Sequence, residues 1–244
     1  MLFRSRLNKY IASSGLCSRR KADELIEQGS VSVNGKLVTE LGFLVQPKDK
    51  VFVNKKLISP AKHQYYRFYK PAGYITTRED EQGRKTIYDL LPENMFSLKP
   101  VGRLDKDSTG LLILTNDGDL INELTHPSVK VPKVYLVTIN SSIHRHELEQ
   151  LANGIELEPG KIAYADIQVL AMDSSHTEMQ ITLYQGMNRQ IRKMFKHIGY
   201  EVKTLKRIQH ATLTLDGLKR GEYKPIKPIQ IRELRNFLNR ISKK

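Results

Sequence analysis

The sequence is short of the residues that hold most metals and redox groups. A single cysteine, Cys17, excludes an intramolecular disulfide and a cysteine-rich zinc site. The seven histidines show no HExxH or paired-ligand spacing, so no structural metal is expected. No apolar run approaches the roughly 20 residues needed to span a bilayer. The basic start MLFRSRLNKYIASSG lacks both a continuous apolar segment and a cleavage site, so a cytoplasmic protein without membrane attachment is expected. GxxxxGK[ST], GxGxxG and GxSxG are absent too. Nothing calls for a bound cofactor. Chemistry without one must lean on carboxylates and phenols.

Acidic residues are also few: 26 Asp and Glu face 40 Lys and Arg, a net charge of +14. Such an excess favours a polyanionic partner, because each cation that meets a phosphate releases a counterion. Nucleic acid is the expected partner, with solubility alone as the alternative. The charge is uneven. Residues 1–62 hold twelve Lys and Arg against five Asp and Glu, and the remainder holds 28 against 21, so each part carries +7. A small basic module, 1–62, is therefore expected ahead of a larger domain, 63–244, with the boundary in SPAKHQ.

In the module, RLNKYIASSG places Leu7, Tyr10 and Ile11 on one helical face and stops at Gly15. Ser18 reads as the N-cap of SRRKADELIEQG, which buries Ala22, Leu25 and Ile26 and stops at Gly29. VSVNGKLV reads as a hairpin turning at Asn-Gly, and PKDKVFVNKK as a further turn and strand. Arg19, Arg20 and Lys21 fall in a first helical turn, where the macrodipole prefers acids. They are either phosphate contacts or a solvated basic face. In the larger part, YYRFYKPAGYITT reads as strand, turn and strand, and KTIYDLLPENM as a short helix ended by Pro92. Further helices are expected at Asp119–Leu124, HRHELEQLANG, NRQIRKMFKHIG and the basic C-terminal IQIRELRNFLNRISKK. VYLVTI, AYADIQVLAMD, HTEMQITLYQG and EVKTLKRIQHATLTL read as strands. Strands and helices interleave without βαβ spacing, which indicates an α+β fold with a mixed, mostly antiparallel sheet.

VGRLDKDSTGLLILTNDGDL sets Asp105 and Asp107 just before LLILT, a run of strand character. A carboxylate at the lip of a buried strand and near cations stays ionised and can serve as nucleophile or base. By spacing alone the stronger reading is a turn aspartate hydrogen-bonded to its own backbone.

This segment resembles the catalytic stretch of pseudouridine synthases, specifically the ribosomal RsuA/RluB/RluE/RluF branch. KPAG at 70–73, KVYLV at 133–137 and QGMNRQIRKMF at 185–195 resemble the branch's other motifs in the same order. SRRKADELIEQGSVSVNG resembles the small RNA-binding domain named after ribosomal protein S4. The likeness runs from about Arg6 to Pro225, with QGMNRQ departing from the commoner EGxNRQ. It implies a cofactor-independent isomerase converting uridine to pseudouridine in ribosomal RNA. KDSTGLLILTNDGDL, HPS at 126–128 and NRQIRKMF look more like the large-subunit (23S) members than the small-subunit (16S) enzyme. It further implies that Asp105 is the catalytic carboxylate, with Asp107 shaping the turn. Tyr135 is implied to stack on the base and accept a proton, and Arg192 to pair with Asp105. RNA contacts are expected from Arg6, Lys9, Arg19, Arg20 and Lys21 in the module. In the large domain they are expected from Lys70, Arg103, Lys133, Asn188, Arg189 and Lys193. The implied partner is ribosomal RNA or an assembly intermediate, met by a monomer. A non-catalytic rRNA chaperone and a tRNA-modifying enzyme of similar fold are the alternatives. Replacing Arg19 and Arg20 together by Ala should weaken rRNA binding. The log–log salt slope should fall by about 0.9 for each duplex phosphate that the variant leaves unneutralised. Equal slopes in filter binding would remove that helix from the interface.

Overall fold

The computed structural model describes residues 4–242. The chain forms two units, one of Met1–Gln64 with Asn116–Gly118, the other of Tyr65–Thr115 with Asp119–Lys244. In the first unit β1 (Ser5–Arg6) leads into α1 (Leu7–Ser13) and α2 (Arg19–Glu27). The chain turns at Gly15, where φ is 83°, a value glycine adopts without strain. The Ser18 side chain caps α2, accepting from the Lys21 amide at 3.2 Å. Next come β2 (Val31–Val33), β3 (Lys36–Leu37), β4 (Leu44–Val45), β5 (Val51–Val53) and β6 (Lys56–Ile58). Asn34 and Gly35 both take positive φ, the geometry of the hairpin turn between β2 and β3. Leu7, Ile11, Ala22, Ile26 and the inward valines of β2 and β5 make this unit's own core.

The second unit is built on a nine-stranded sheet. Its elements are β7 (Tyr65–Lys70), β8 (Lys99–Pro100), β9 (Thr109–Thr115), α3 (Gly118–Thr125), β10 (Lys133–Ile139) and α4 (Arg145–Asn153). They continue as β11 (Ile155–Glu158), β12 (Lys161–Ala163), β13 (Asp166–Met172), β14 (Thr177–Leu183), α5 (Gln190–His197), β15 (Val202–His210), β16 (Leu213–Thr214), β17 (Tyr223–Pro225) and α6 (Pro228–Ile241). The main path runs β13-β14-β10-β15-β9-β7-β17, with β8 on β9 and β16 on β15; β11 and β12 form a separate hairpin. Among the named strands of the described residues only the β15–β9 pairing is parallel. The sheet is covered on both faces. Leu112 and Leu114 of β9 join Leu151 of α4 and Ile191, Met194 and Phe195 of α5 on one side. Leu111 and Ile113 join Leu120 and Leu124 of α3 and Leu234 and Leu238 of α6 on the other. A strand apolar at every position is what burial on both faces requires, which accounts for LLIL. Among the described residues no helix is long and apolar enough to cross a membrane.

Two expectations change form. YITT does not make a strand; it contributes one isolated parallel bridge, Ile75 to Thr86. Its hydrogen-bonding groups go elsewhere, Thr76 to Leu104 among them. KTIYDLLPENM makes two 3₁₀ turns, Ile87–Leu90 and Glu93–Met95, because the Thr86–Asp89 capping box and Pro92 leave too few residues for an α-helix.

Registers on neighbouring strands align one row across the sheet: Ile181, Tyr135, Arg207, Gly110 and Lys70. The parallel pairing of β9 with β15 is possible only because residue 110 is glycine. Its φ is 110°, and a Cβ there would lie 2.2 Å from the Arg207 carbonyl oxygen. Gly110→Ala should therefore lower folding stability by about 3 kcal/mol or more, through overpacking plus backbone strain. A urea midpoint equal to wild type would contradict this packing.

Candidate active site

Asp105 lies in the turn that feeds β9. The Ser108 amide closes the turn on the Asp105 carbonyl at 3.1 Å. Lys70, the last residue of β7, is 0% exposed. Its Nζ donates to the carbonyls of Ser108 (2.8 Å), Asp105 (2.9 Å), Pro71 (3.0 Å) and Lys106 (3.3 Å). Lys70 was expected to contact RNA, and the structure corrects this: the β7–β9 pairing carries its ammonium under the loop, out of solvent. Burial lowers the Lys70 pKa to about 8, opposed by the nearby charges of Asp105 and Asp107. Below that value the group is an ammonium, all donors and no acceptor, and its hydrogens meet the surrounding carbonyls while burial works against the charge. Two further ties hold the loop. Thr76 Oγ1 donates to the Leu104 carbonyl and accepts from its amide, at 2.8 and 3.2 Å. The Gly73 amide donates to the Lys106 carbonyl at 2.8 Å.

With its backbone so bound, the Asp105 side chain is left outward and 31% exposed. Among the described residues its carboxylate is paired with Arg189, Nη1 to Oδ2 at 3.9 Å, and with no backbone amide. The turn-aspartate reading needs such an amide. Arg189 precedes α5 in the left-handed region, φ 49° and ψ 36°, a conformation costly for a side chain of this kind. The pair is loose and half solvated, so its contribution is local charge rather than stability.

Arg192 does not take the place anticipated for it. Ile191, Met194 and Phe195 fix the rotation of α5 by their burial. That sets Arg192 against the start of β15, where Nη1 donates to the Val202 carbonyl at 2.8 Å and Nε is buried without a partner. The cation in ion-pair reach of Asp105 is Arg189, three residues earlier. No sequence pattern announces a left-handed arginine, which is why the motif pointed to the wrong one.

Tyr135 stands on β10, 9% exposed, in the apolar cluster that also holds Leu104, the neighbour of Asp105. Its cross-strand neighbour Arg207 is 2% exposed and donates from Nε to the Leu111 carbonyl at 2.7 Å. Lys133 is half-buried and bonded to the Val131 carbonyl; burial and Arg207 lower its pKa to about 8. Arg103 and Asn188 are exposed, as is Arg189 itself. Lys193 is held by Glu158 at 2.9 Å. In the first unit Arg6, Arg19 and Arg20 are exposed and Lys9 half-buried. Lys21 is paired with Glu24 at 2.7 Å. The first turn of α2 carries no acid, so its cations stand at the positive end of the helix.

The loop presents an outward carboxylate with a guanidinium 3.9 Å from it, and the neighbouring sheet holds a buried phenol; these are groups able to do acid–base or nucleophilic chemistry. The family model for RNA pseudouridylate synthase matches residues 64–197, and the S4 domain model matches residues 5–51. The chain belongs to the RNA pseudouridylate synthase family and is an isomerase acting on RNA. It is 42% identical over 232 residues to the ribosomal large subunit pseudouridine synthase B of Bacillus subtilis, covering 94% of this chain and 95% of that one. It is 40% identical over 224 residues to the dual-specificity RNA pseudouridine synthase RluF of Escherichia coli, covering 91% and 75%. A solved pseudouridylate synthase structure superposes with a TM-score of 0.68 at 29% identity, covering 94% of this chain and 99% of that one.

The buried ammonium yields a signed prediction. Since Lys70 titrates near 8 when folded and near 10.5 when unfolded, the unfolded chain holds more protons between those values. Stability from this group therefore rises with pH across that window and is lost as pH falls towards 8. The difference in unfolding free energy between wild type and Lys70→Met, measured in urea, should grow from pH 8 to 10.5. Lys133 cancels in that comparison. A flat difference would contradict the lowered pKa.

Proposed function

We propose that this protein converts one uridine of large-subunit ribosomal RNA to pseudouridine, in the cytoplasm, on free rRNA or an assembly intermediate. Residues 1–62 grip the RNA through phosphates, and residues 63–244 carry out the isomerisation. The large-subunit assignment is supported by the role named for the Bacillus subtilis relative, which matches nearly end to end. The observation that carries the chemistry is the Asp105 carboxylate, turned away from its own backbone while four carbonyls around it are held by Lys70.

Isomerisation breaks the bond between uracil N1 and the ribose C1′, turns the detached uracil, and joins its C5 to C1′. The C5 proton then leaves. Asp105 either attacks C1′, carrying the sugar until C5 returns, or removes the C2′ proton to leave a glycal and later gives it back. Both routes need the ionised carboxylate, and the Arg189 guanidinium stands 3.9 Å from it. Tyr135 stacks on the ring, keeps the free uracil from escaping, and takes the C5 proton at the end. The uridine is flipped out of its helix to reach these groups.

The test is large-subunit rRNA tritiated at uracil C5. Wild type should release tritium to water. Asp105→Asn should lower the rate more than about 10³-fold with rRNA affinity nearly unchanged. Arg189→Gln should slow release more than Arg192→Gln does. Wild type releasing no label from any rRNA would overturn the proposal in favour of a binding role.

A further inference from the structure

We propose that a cleft beside the Asp105 loop, walled by Tyr74, Arg78, Arg84 and Lys85, binds the nucleotide next to the flipped uridine. The neighbouring base lies on the Tyr74 ring, and its phosphate meets Arg78 and Lys85. The assignment rests on the RNA-modifying reading above and adds a subsite for the adjoining nucleotide to it.

The cleft has a volume of about 560 Å³, and Asp80, Gly83, Thr86 and Asp89 complete its lining. One wall is continuous with the Asp105 loop. Tyr74 sits between Gly73, whose amide is bonded to Lys106, and Thr76, whose hydroxyl is bonded to both backbone groups of Leu104. The opposite wall is tied to the same strip of chain. The Ile75 amide donates to the Lys85 carbonyl at 2.9 Å, and the Ile87 amide donates to the Ile75 carbonyl at 3.0 Å. A ligand in the cleft therefore lies in one hydrogen-bonded frame with Asp105.

The lining chemistry selects a nucleotide. Its two carboxylates are already used. Asp80 takes Arg84 in a two-toothed pair, with contacts of 2.6 to 3.2 Å, and Asp89 accepts the Thr86 amide at 2.6 Å. Arg84 pulls the Asp80 carboxyl down to about 2, so this acid stays ionised and its charge is met by Arg84. Arg78 and Lys85 face no carboxylate within ion-pair distance among the described residues. Arg78 is nonetheless placed: it donates to the Phe96 carbonyl and its guanidinium carbon stands 5.9 Å from the centre of the Tyr88 ring. Tyr74 is half-buried, packed partly on the core and partly facing the cleft. One aromatic surface with two unmatched cations at its rim suits a base and its phosphate.

The experiment uses the full chain and an in vitro transcript of large-subunit rRNA, read by tritium release and by filter binding. Tyr74→Leu should raise KM about 10-fold with kcat within about 2-fold, and Tyr74→Phe should restore it, because stacking needs the ring and not the hydroxyl. Lys85→Gln, at an exposed position, should lower the log–log salt slope of binding by about 0.7 to 0.9, the value for one phosphate. Unchanged KM in Tyr74→Leu together with an unchanged slope in Lys85→Gln overturns the subsite, as does a KM that Tyr74→Phe fails to restore. Absence of tritium release by wild type would sink the pseudouridylation reading instead, and the salt slopes would still decide the cleft.

Discussion

The candidate site depends on one buried cation. Lys70 has no access to water, and its ammonium is met only by carbonyl oxygens, three of them from the Asp105–Ser108 turn. Removing such a charge from water is costly, and only hydrogen bonds of this number and shortness offset the cost. The result is a turn whose main chain cannot relax. An aspartate in an ordinary turn folds back on a nearby amide. Here the carbonyls are committed to Lys70, and the Asp105 carboxylate faces Arg189 across 3.9 Å.

The sheet supplies the rest of the geometry. Because β9 is buried on both faces, it is fixed in register from both sides, and its first residues carry the Asp105 turn with them. The parallel contact at Gly110 brings Arg207, and through it Tyr135, into the same row as Lys70. Four strands, β7, β9, β10 and β15, thereby meet at one level of the sheet. Chemistry that must hold a detached base for the length of a reaction benefits from such a rigid floor.

The sequence made some of this legible and hid the rest for definite reasons. Asn34-Gly35, Ser18 and the Ile191/Met194/Phe195 stripe are local signals, and each appears as a turn, a cap or a buried helix face. Asp105 was singled out by its motif; its carboxylate is turned outward and faces Arg189. Lys70 and Arg192 were misassigned because both looked like surface cations or charge partners, whereas their surroundings come from residues 35 and 10 positions away. A lysine's burial and an arginine's left-handed backbone are tertiary outcomes that leave no local pattern. The hairpin of β11 and β12 escaped the reading because its strands are short.

Charge places the protein among RNA binders, and the loop chemistry sets what it does there. A subsite adjoining the Asp105 loop would let the protein hold the strand beside the target without touching the reacting ring. The most direct measurement is a crystal structure with rRNA whose target uridine carries fluorine at C5, since fluorine replaces the proton that the last step must remove. The account predicts a sugar joined to C5 of the ring, with the ring on Tyr135 and the ribose against the Asp105 carboxylate. A uracil bound away from Asp105, or Asp105 folded into its own turn with the RNA in place, would contradict it.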